Sequence, residues 1–375
     1  LAGKKLGLIV NPIAGIGGRV GLKGSDGLEI QQQALALGAV SLAQERTAAA
    51  LEVLYPQAAG LEILTPPGEM GEAVAQKCGF FPHPLPIPQK DGGVTTADDT
   101  HRAAQAMQEA KVDLILFTGG DGTACDIYHA LGNNFPVLGI PAGVKIYSAV
   151  FGITPKDSGE LAMAFLQGKR VRLHEAEVLD MDEDAYRDGQ ISTHLCGYLT
   201  IPYRRRHVQN QKMPTPASEA AQAQAIAADI VERMTPGQAY ILGPGTTTRA
   251  IAEHLDLPKT LVGVDIITRE ELLVQDVGEQ QILEMLAHRP LGVIVTPTGG
   301  QGFLFGRGNQ QISPQVIRLV GRENILVVCV ASKIAALRGR PLLVDTGDTE
   351  ADNLLTGYIE VVTGYHEKII YKIAY

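Results

Sequence analysis

Residues 116–127 read LFTGGDGTACDI. They close an uninterrupted apolar run, LILF at 114–117, and place three glycines and one aspartate within positions 119–123. A continuous apolar run that ends in glycine reads as a strand buried on both faces of a parallel sheet. Glycine weakens regular structure, and an unpaired carboxylate does not belong in a core. Both features make sense if Gly119, Gly120 and Gly122 let bare backbone amides approach an anion at the carboxyl end of the strand. A helix starting near Thr123 would add its positive end to that attraction. Asp121 would be repelled by phosphate. Its place is explained if it takes a proton from an attacking hydroxyl or holds Mg2+. A tight turn with the aspartate as helix cap is the blander alternative, and the weaker one for a strand–GGDGT–helix arrangement.

Two further loops follow strands of the same kind. KKLGLIV, residues 4–10, reads as a first strand and runs into NPIAGIGG, residues 11–18. There Asn11, Pro12, Gly15, Gly17 and Gly18 are candidates for the nucleotide phosphates, the glycines by exposing amides and Asn11 either by binding phosphate or by fixing the turn. PVLGIPAGVKIYSAVF, residues 136–151, brings Gly139 and Gly143, with Lys145 as the natural cation for a polyphosphate and Ser148 as a hydroxyl contact.

Strands and helices alternate up to about residue 170. This predicts an α/β nucleotide-binding domain over 1–170, with a parallel sheet and helices on both faces. The Pro-rich FFPHPLPIP, residues 80–88, breaks any helix, and Thr95 or Thr96 is placed to cap a helix running to Ala110. From 171 to 375 the pattern turns β-rich. VRLHEAEVLDMD, QISTHLCGYLTIP, LVDTGD and YIEVVTGYHEKIIYKI alternate with the period of antiparallel strands. An α/β segment at about 217–340 interrupts this second domain, with an Ala-rich helix within 214–234 and a strand–glycine loop–helix at 239–255.

The chain has 375 residues, 45% of them apolar and 19% charged, with no tryptophan and a net charge of −9. The acidic balance argues against a nucleic-acid surface but leaves room for a local basic pocket. No apolar segment reaches membrane-spanning length and no signal-peptide layout opens the chain, so no membrane partner is expected. The four cysteines, Cys78, Cys125, Cys196 and Cys329, show no CxxC spacing. The sequence therefore suggests neither a zinc site nor a disulfide framework, and points to a reduced cytoplasm.

In combination, NPIAGIGG, DLILFTGGDGTACDI, PVLGIPAGVKIYSAVF, TPTGGQGFLFGRGNQQISP and LLVDTGD resemble the ATP-NAD kinases. Their wider superfamily also holds diacylglycerol and sphingoid-base kinases. The resemblance runs over nearly the whole chain and is strongest to the acetoin catabolism protein X (AcoX) branch. It implies a Rossmann-like N-terminal domain and a β-rich NAD kinase-like C-terminal domain. It also implies ATP-dependent, Mg2+-assisted phosphorylation of the adenosine-ribose 2′-hydroxyl of NAD to give NADP. No dedicated protein metal ligand is assigned, and a homo-oligomer is expected. In the resemblance Asp121 is the catalytic acid group of GGDGT. TPTGG, residues 296–300, corresponds to the stretch that contacts the dinucleotide, which marks Thr296, Thr298, Gly299 and Gly300 for the acceptor. Gly300, Gln301, Gly302 and Phe303 stand where the family has Ser-Thr-Ala-Tyr. Two alternatives follow: a kinase of another small molecule or lipid on the same fold, or a nucleotide-binding regulator without catalysis.

Other residues stand outside this pattern. Arg307 and Asn309, in GRGNQQ, are candidates for phosphate and ribose contacts of the acceptor, exposed by flanking glycines. GPGTTTRAI, residues 243–251, resembles the phosphate loops of sugar-phosphate isomerases. Gly243, Gly245, Thr246, Thr247 and Thr248 thus make either a second anion site or a capped helix start. Asp265 and Asp276 either line that crevice or cap loops. The run Tyr203-Arg204-Arg205-Arg206-His207 either meets a pyrophosphate or is solvated. Asp345 and Asp348 are a metal pair or a turn.

Overall fold

The structure, a computed structural model, describes residues 1, 3–18, 20–22, 28–57, 59–87, 95–143, 146–169, 171–181, 193–204, 217–298 and 301–375. Lys145, Arg205, Arg206, His207, Gly299 and Gly300, all singled out above, lie outside the described residues. The chain forms two compact units. The first gathers the described residues among 1–16, 40–182 and 191–211, and the second those among 17–39 and 212–375.

In the first unit, β1 (Lys4–Val10), β2 (Leu61–Thr65), β3 (His83–Pro84), β4 (Leu114–Gly119) and β5 (Val137–Pro141) pair in parallel in the order β3-β2-β1-β4-β5. β4 lies between β1 and β5, with Phe117 level with Ile9 on one side and Gly139 on the other. Leu114, Ile115, Leu116 and Phe117 are each 0% exposed, which is why β4 reads as a solid apolar run. The strand order reverses between β1 and β4. That is the switch point at which open α/β sheets bind ligands, outside the carboxyl ends of the strands. The Pro-rich segment supplies only the two-residue edge strand β3. Thr96 caps the helix Ala97–Glu109 through a reciprocal bond with Asp99.

An antiparallel hairpin of β6 (Arg172–Met181) and β7 (Thr193–Tyr203) completes this unit. Ala176, Val178, Leu199 and Ile201 enter the same core as β1 and β4, so the hairpin packs here and not with the strands that follow it.

The second unit is built on a nine-stranded sheet. Its strands are β8 (Ala239–Leu242), β9 (Asp265–Ile267), β10 (Leu272–Val274), β11 (Leu291–Val295), β12 (Phe303–Phe305), β13 (Ile325–Val328), β14 (Leu342–Val344), β15 (Gly357–Gly364) and β16 (Glu367–Ala374). Their order is β10-β9-β8-β11-β13-β15-β16-β14-β12. β8, β11, β13 and β15 run parallel at its centre. Segment 217–340 supplies β8 to β13, which form one continuous sheet with the C-terminal hairpin β15–β16. The Ala-rich helix Ala217–Arg233 places Ile226, Ala227 and Ile230 in a core with Ile251 of the helix Thr246–His254. Small alanines let the helices approach closely while the isoleucines fill the space between.

Candidate active site

Backbone hydrogen bonds stitch together the loops that leave β1, β4 and β5. The Asn11 amide donates to Thr118 O at 3.0 Å, and its side-chain Nδ2 donates to Thr123 Oγ1 at 3.0 Å. Asn11 Oδ1 accepts the Ile13 amide at 3.2 Å, and the Ala14 amide returns to Asn11 O at 3.1 Å, closing a turn around Pro12. These bonds let Asn11 fix the turn and tie it to GGDGT. Gly119 O accepts the amides of Ala142 and Gly143 at 2.9 and 3.1 Å.

Close approach explains the glycines. Gly15 has φ +72°, and a Cβ there would overlap the Ala142 carbonyl. A Cβ on Gly119 would overlap the Thr123 side chain. Gly17 and Gly18 belong to the second unit, where their carbonyls accept the amides of Leu22 and Gly21 at 3.0 and 3.4 Å.

The helix Asp121–Leu131 begins at Asp121, two residues earlier than the Thr123 start expected from sequence. Its first intrahelical bond is from the Ala124 amide to Gly120 O, at 3.1 Å. The amides of Asp121, Gly122 and Thr123 therefore precede the helical ladder at the positive end of the helix. The Asp121 carboxylate turns toward the loop after β5. Oδ2 accepts the Tyr147 amide at 2.7 Å and Oδ1 accepts the Ser148 amide at 3.0 Å. Asp121 is only 7% exposed. Burial pushes its carboxyl up to about 6, and the nearby charge of Asp180 adds to the rise, while the bonds from Ser148 and Tyr147 oppose it. A carboxylate offers about four lone-pair sites, so the two amides leave capacity for a further donor.

The Ser148 hydroxyl is engaged within the chain. Its Oγ donates to Leu179 O at 3.0 Å and accepts the Leu179 amide at 2.9 Å. Ser148 thus clasps β6 with its side chain and holds Asp121 with its backbone amide.

One feature of this region is illegible from sequence spacing. Cys125, one turn after Asp121, forms a disulfide with Cys196 on β7, across a sequence separation of 71. This corrects the expectation of no disulfide. The Cα atoms are 5.9 Å apart because the hairpin returns alongside the helix. Asp180 brings a carboxylate oxygen near both sulfurs. A hollow lined by Glu52, Tyr55, Lys77 and Cys78 also lies in this unit and contains none of the glycine-loop residues.

In the second unit most expected ligand contacts are internal. Arg307 is 5% exposed and directs Nε and Nη2 to Asp345 Oδ2 at 3.1 and 2.9 Å, with its guanidinium 4.7 Å from the Phe303 ring centre. The flanking glycines therefore do not expose Arg307, and Asp345 directs one carboxylate oxygen to it. Asp348 caps the helix Thr349–Leu355 and pairs with Arg318 at 3.0 Å, so VDTGD leads from the strand Leu342–Val344 into a capped helix. Those bonds hold the Asp348 carboxyl below its ordinary value. Asn309 Nδ2 donates to Leu304 O at 2.9 Å, while its Oδ1 has no partner among the described residues. The Thr298 amide donates to Phe303 O at 2.8 Å and Thr298 O accepts the Gly302 amide at 2.8 Å. Asp265 is 0% exposed and pairs with Lys259 at 2.9 Å while accepting the Thr260 and Asp276 amides, so it does not line a crevice. Gly243, Gly245 and Thr246–Thr248 do form a strand–loop–helix junction, after β8.

Comparison with known proteins gives matches in both halves of the chain. Residues 6–170 match the ATP-NAD kinase N-terminal domain, and residues 234–373 match the ATP-NAD kinase C-terminal domain. No curated protein matches the chain. Among solved structures, a diacylglycerol kinase from Bacillus anthracis str. Sterne is similar at 19% identity with a TM-score of 0.23, over 48% of this chain and 48% of its own. A second chain from that organism, also described as a diacylglycerol kinase, aligns at 17% identity with a TM-score of 0.23, over 48% of this chain and 46% of its own. The chain thus spans about half the length of the solved relatives it matches. Among the described residues no helix is long and apolar enough to cross a membrane.

Proposed function

The chain belongs to the ATP-NAD kinase family, and from that premise we propose that it is an ATP-dependent phosphotransferase. Its proposed acceptor is the adenosine-ribose 2′-hydroxyl of NAD, and its product NADP. The observation that carries the reading is the placement of Asp121. It is the first residue of a helix at the sheet's switch point, fixed by the Tyr147 and Ser148 amides and followed by amides with no helical partner.

In this proposal the amides of Gly119 to Thr123 and the helix N-terminus hold the nucleotide's phosphates. Lys145 adds a positive charge. Asp121 orients the acceptor hydroxyl and takes its proton. The acceptor oxygen forms a bond to the γ-phosphorus as the bond from that phosphorus to the β,γ-bridging oxygen breaks, and ADP leaves with the electron pair. The proton passes from Asp121 to solvent. A carboxyl raised to about 6 is mostly ionised at neutral pH, yet basic enough to accept a proton.

Oxygen donors suit Mg2+, and Asp180, partly exposed and near enough to raise Asp121, is the carboxylate that would hold it. When bound with ATP, Mg2+ would neutralise charge on the β- and γ-phosphates. Thr296, Thr298, Gly299 and Gly300 are proposed for the acceptor. Positioning and charge stabilisation supply most of the acceleration in such transfers.

A second reading, a nucleotide-binding regulator without catalysis, draws support from one observation. Both Asp121 oxygens already accept amides. ADP release from Mg-ATP separates the two readings, with NAD, a sphingoid base and a sugar offered in parallel. The kinase reading expects ADP with NAD, the alternative acceptors would redirect it, and tight NAD binding with no ADP from any acceptor would replace it by the regulator. We also propose a homo-oligomer of AcoX type, for which light scattering on purified protein tests the assembly; a cytoplasmic location no longer draws support from the cysteines, because Cys125 and Cys196 are paired.

A further inference from the structure

The glycine loop after β8 has no role in the phosphotransfer just described, but it adjoins Thr296, which is proposed there for the acceptor. β8 and β11 are parallel neighbours, with Leu242 level with Ile294, so they release their loops side by side. The Gly243 amide donates to Ile294 O at 2.9 Å, and Gly245 has φ +128°. A Cβ on Gly245 would stand 2.8 Å from Thr296 Cγ2. The glycine thus lets Thr296, from the loop after β11, sit over the start of the helix Thr246–His254.

That start is rich in donors. The first intrahelical bond is from the Arg249 amide to Gly245 O at 3.0 Å, so the amides of Thr246, Thr247 and Thr248 precede the ladder. Thr248 Oγ1 donates to Gly245 O at 3.0 Å and is occupied. Thr247 is 1% exposed and Thr296 is 9% exposed, yet neither Oγ1 has a partner among the described residues. A buried hydroxyl without a partner is costly, and a native protein that keeps two of them beside one helix start calls for an explanation. Asp265 is no answer, because it is taken by Lys259, Thr260 and the Asp276 amide.

Amides can only donate, so the missing partner is an acceptor, and the helix end favours a negative one. We propose that the carboxyl ends of β8 and β11 form a phosphate subsite. The amides of Thr246 to Thr248 and the hydroxyls of Thr247 and Thr296 donate to the oxygens of a phosphate ester. The group belongs either to the dinucleotide acceptor or to a separate sugar phosphate. The subsite stands on geometry in the second unit alone and does not depend on catalysis at Asp121.

Calorimetric titration and thermal melting of the full chain test it, with inorganic phosphate, ribose 5-phosphate and NAD as probes. Ribose 5-phosphate is expected to raise the melting temperature of the wild type and of Asp121→Asn alike. Thr247→Val and Thr296→Val are each expected to weaken binding about tenfold, the scale of one hydrogen bond to a charged group. Ligand-free Thr247→Val is expected to melt no lower than wild type, because it removes an unsatisfied hydroxyl. A purely structural hydroxyl would give the opposite sign. Displacement of ribose 5-phosphate by NAD would assign the subsite to the acceptor, and persistence of both would assign it to a separate ligand. The proposal is overturned if none of the probes binds wild type up to about 10 mM, if Thr247→Val binds like wild type, or if ligand-free Thr247→Val melts lower.

Discussion

GGDGT after β4 and GPGTTT after β8 both release a strand through glycines into a helix whose first amides have no helical partner. Their side chains differ in kind. GGDGT puts a carboxylate at the first helical position, buries it, and engages both oxygens with amides from another loop. GPGTTT puts hydroxyls there and leaves the buried Thr247 oxygen with no partner among the described residues. One backbone device that attracts anions therefore serves two chemistries. An acid with a raised carboxyl can move a proton, whereas neutral hydroxyls can only hold a ligand.

The largest expected effect belongs to the acid. Asp121→Asn should lower turnover by about 10² to 10⁴ while nucleotide binding survives, measured by steady-state kinetics beside equilibrium titration. Near-normal turnover would make the two loops equivalent and remove Asp121 from the chemistry.

Only the GGDGT helix carries a disulfide, so the next test concerns its anchoring. Closing a loop of this length restricts the unfolded chain by about 4 kcal/mol. The double variant Cys125→Ser/Cys196→Ser should lose stability of that order in urea unfolding, and unchanged stability would show that the bond adds no anchoring.

The buried carboxyl also sets a pH dependence that the hydroxyl loop lacks. The Asp121 carboxyl is raised from 3.8 to about 6 in the folded chain, chiefly by burial. Its protonated form is therefore favoured by folding. The stability it confers is complete below about pH 4 and is lost as pH rises through about 6, a swing of about 3 kcal/mol. The stability difference between wild type and Asp121→Asn, followed from acid to neutral pH, should shrink or reverse over that window. A flat difference would mean that the carboxyl is not raised.

Two smaller effects follow. Gly15→Ala, which combines a left-handed backbone with overlap of the Ala142 carbonyl, should cost about 2 kcal/mol and loosen the contact between the loops after β1 and β5. Thr247→Val should leave the ligand-free protein as stable as wild type or more stable by about 1 kcal/mol, read from the urea midpoint.

What sequence could tell depends on how local each feature is. β4 and its loop were legible because an apolar run, a glycine cluster and a helix start all lie within residues 112–127. The Thr96 cap was legible for the same reason, since its partner Asp99 is three residues away. The burial of Arg307 is not legible because its partner Asp345 is 38 residues distant, and flanking glycines look the same around a buried ion pair as around a ligand contact. The Cys125–Cys196 bond depends on where the hairpin of β6 and β7 lands, which period-two alternation does not encode. Alternation shows that Val178 and Leu199 face a core, not which core. The tie between Ser148 and Leu179 was hidden likewise, because a serine in a glycine-rich loop reads equally as ligand contact and as clasp.

The most direct test of the central claim follows phosphorus itself. Wild type and Asp121→Asn, each with Mg-ATP and NAD, are examined by 31P nuclear magnetic resonance. The expected result is a new phosphomonoester signal on the adenosine-ribose 2′ oxygen, growing with ADP in the wild type and absent in the variant. Equal signals from both proteins, or ATP consumed to ADP and free phosphate with no such ester, would contradict a hydroxyl-directed transfer governed by Asp121.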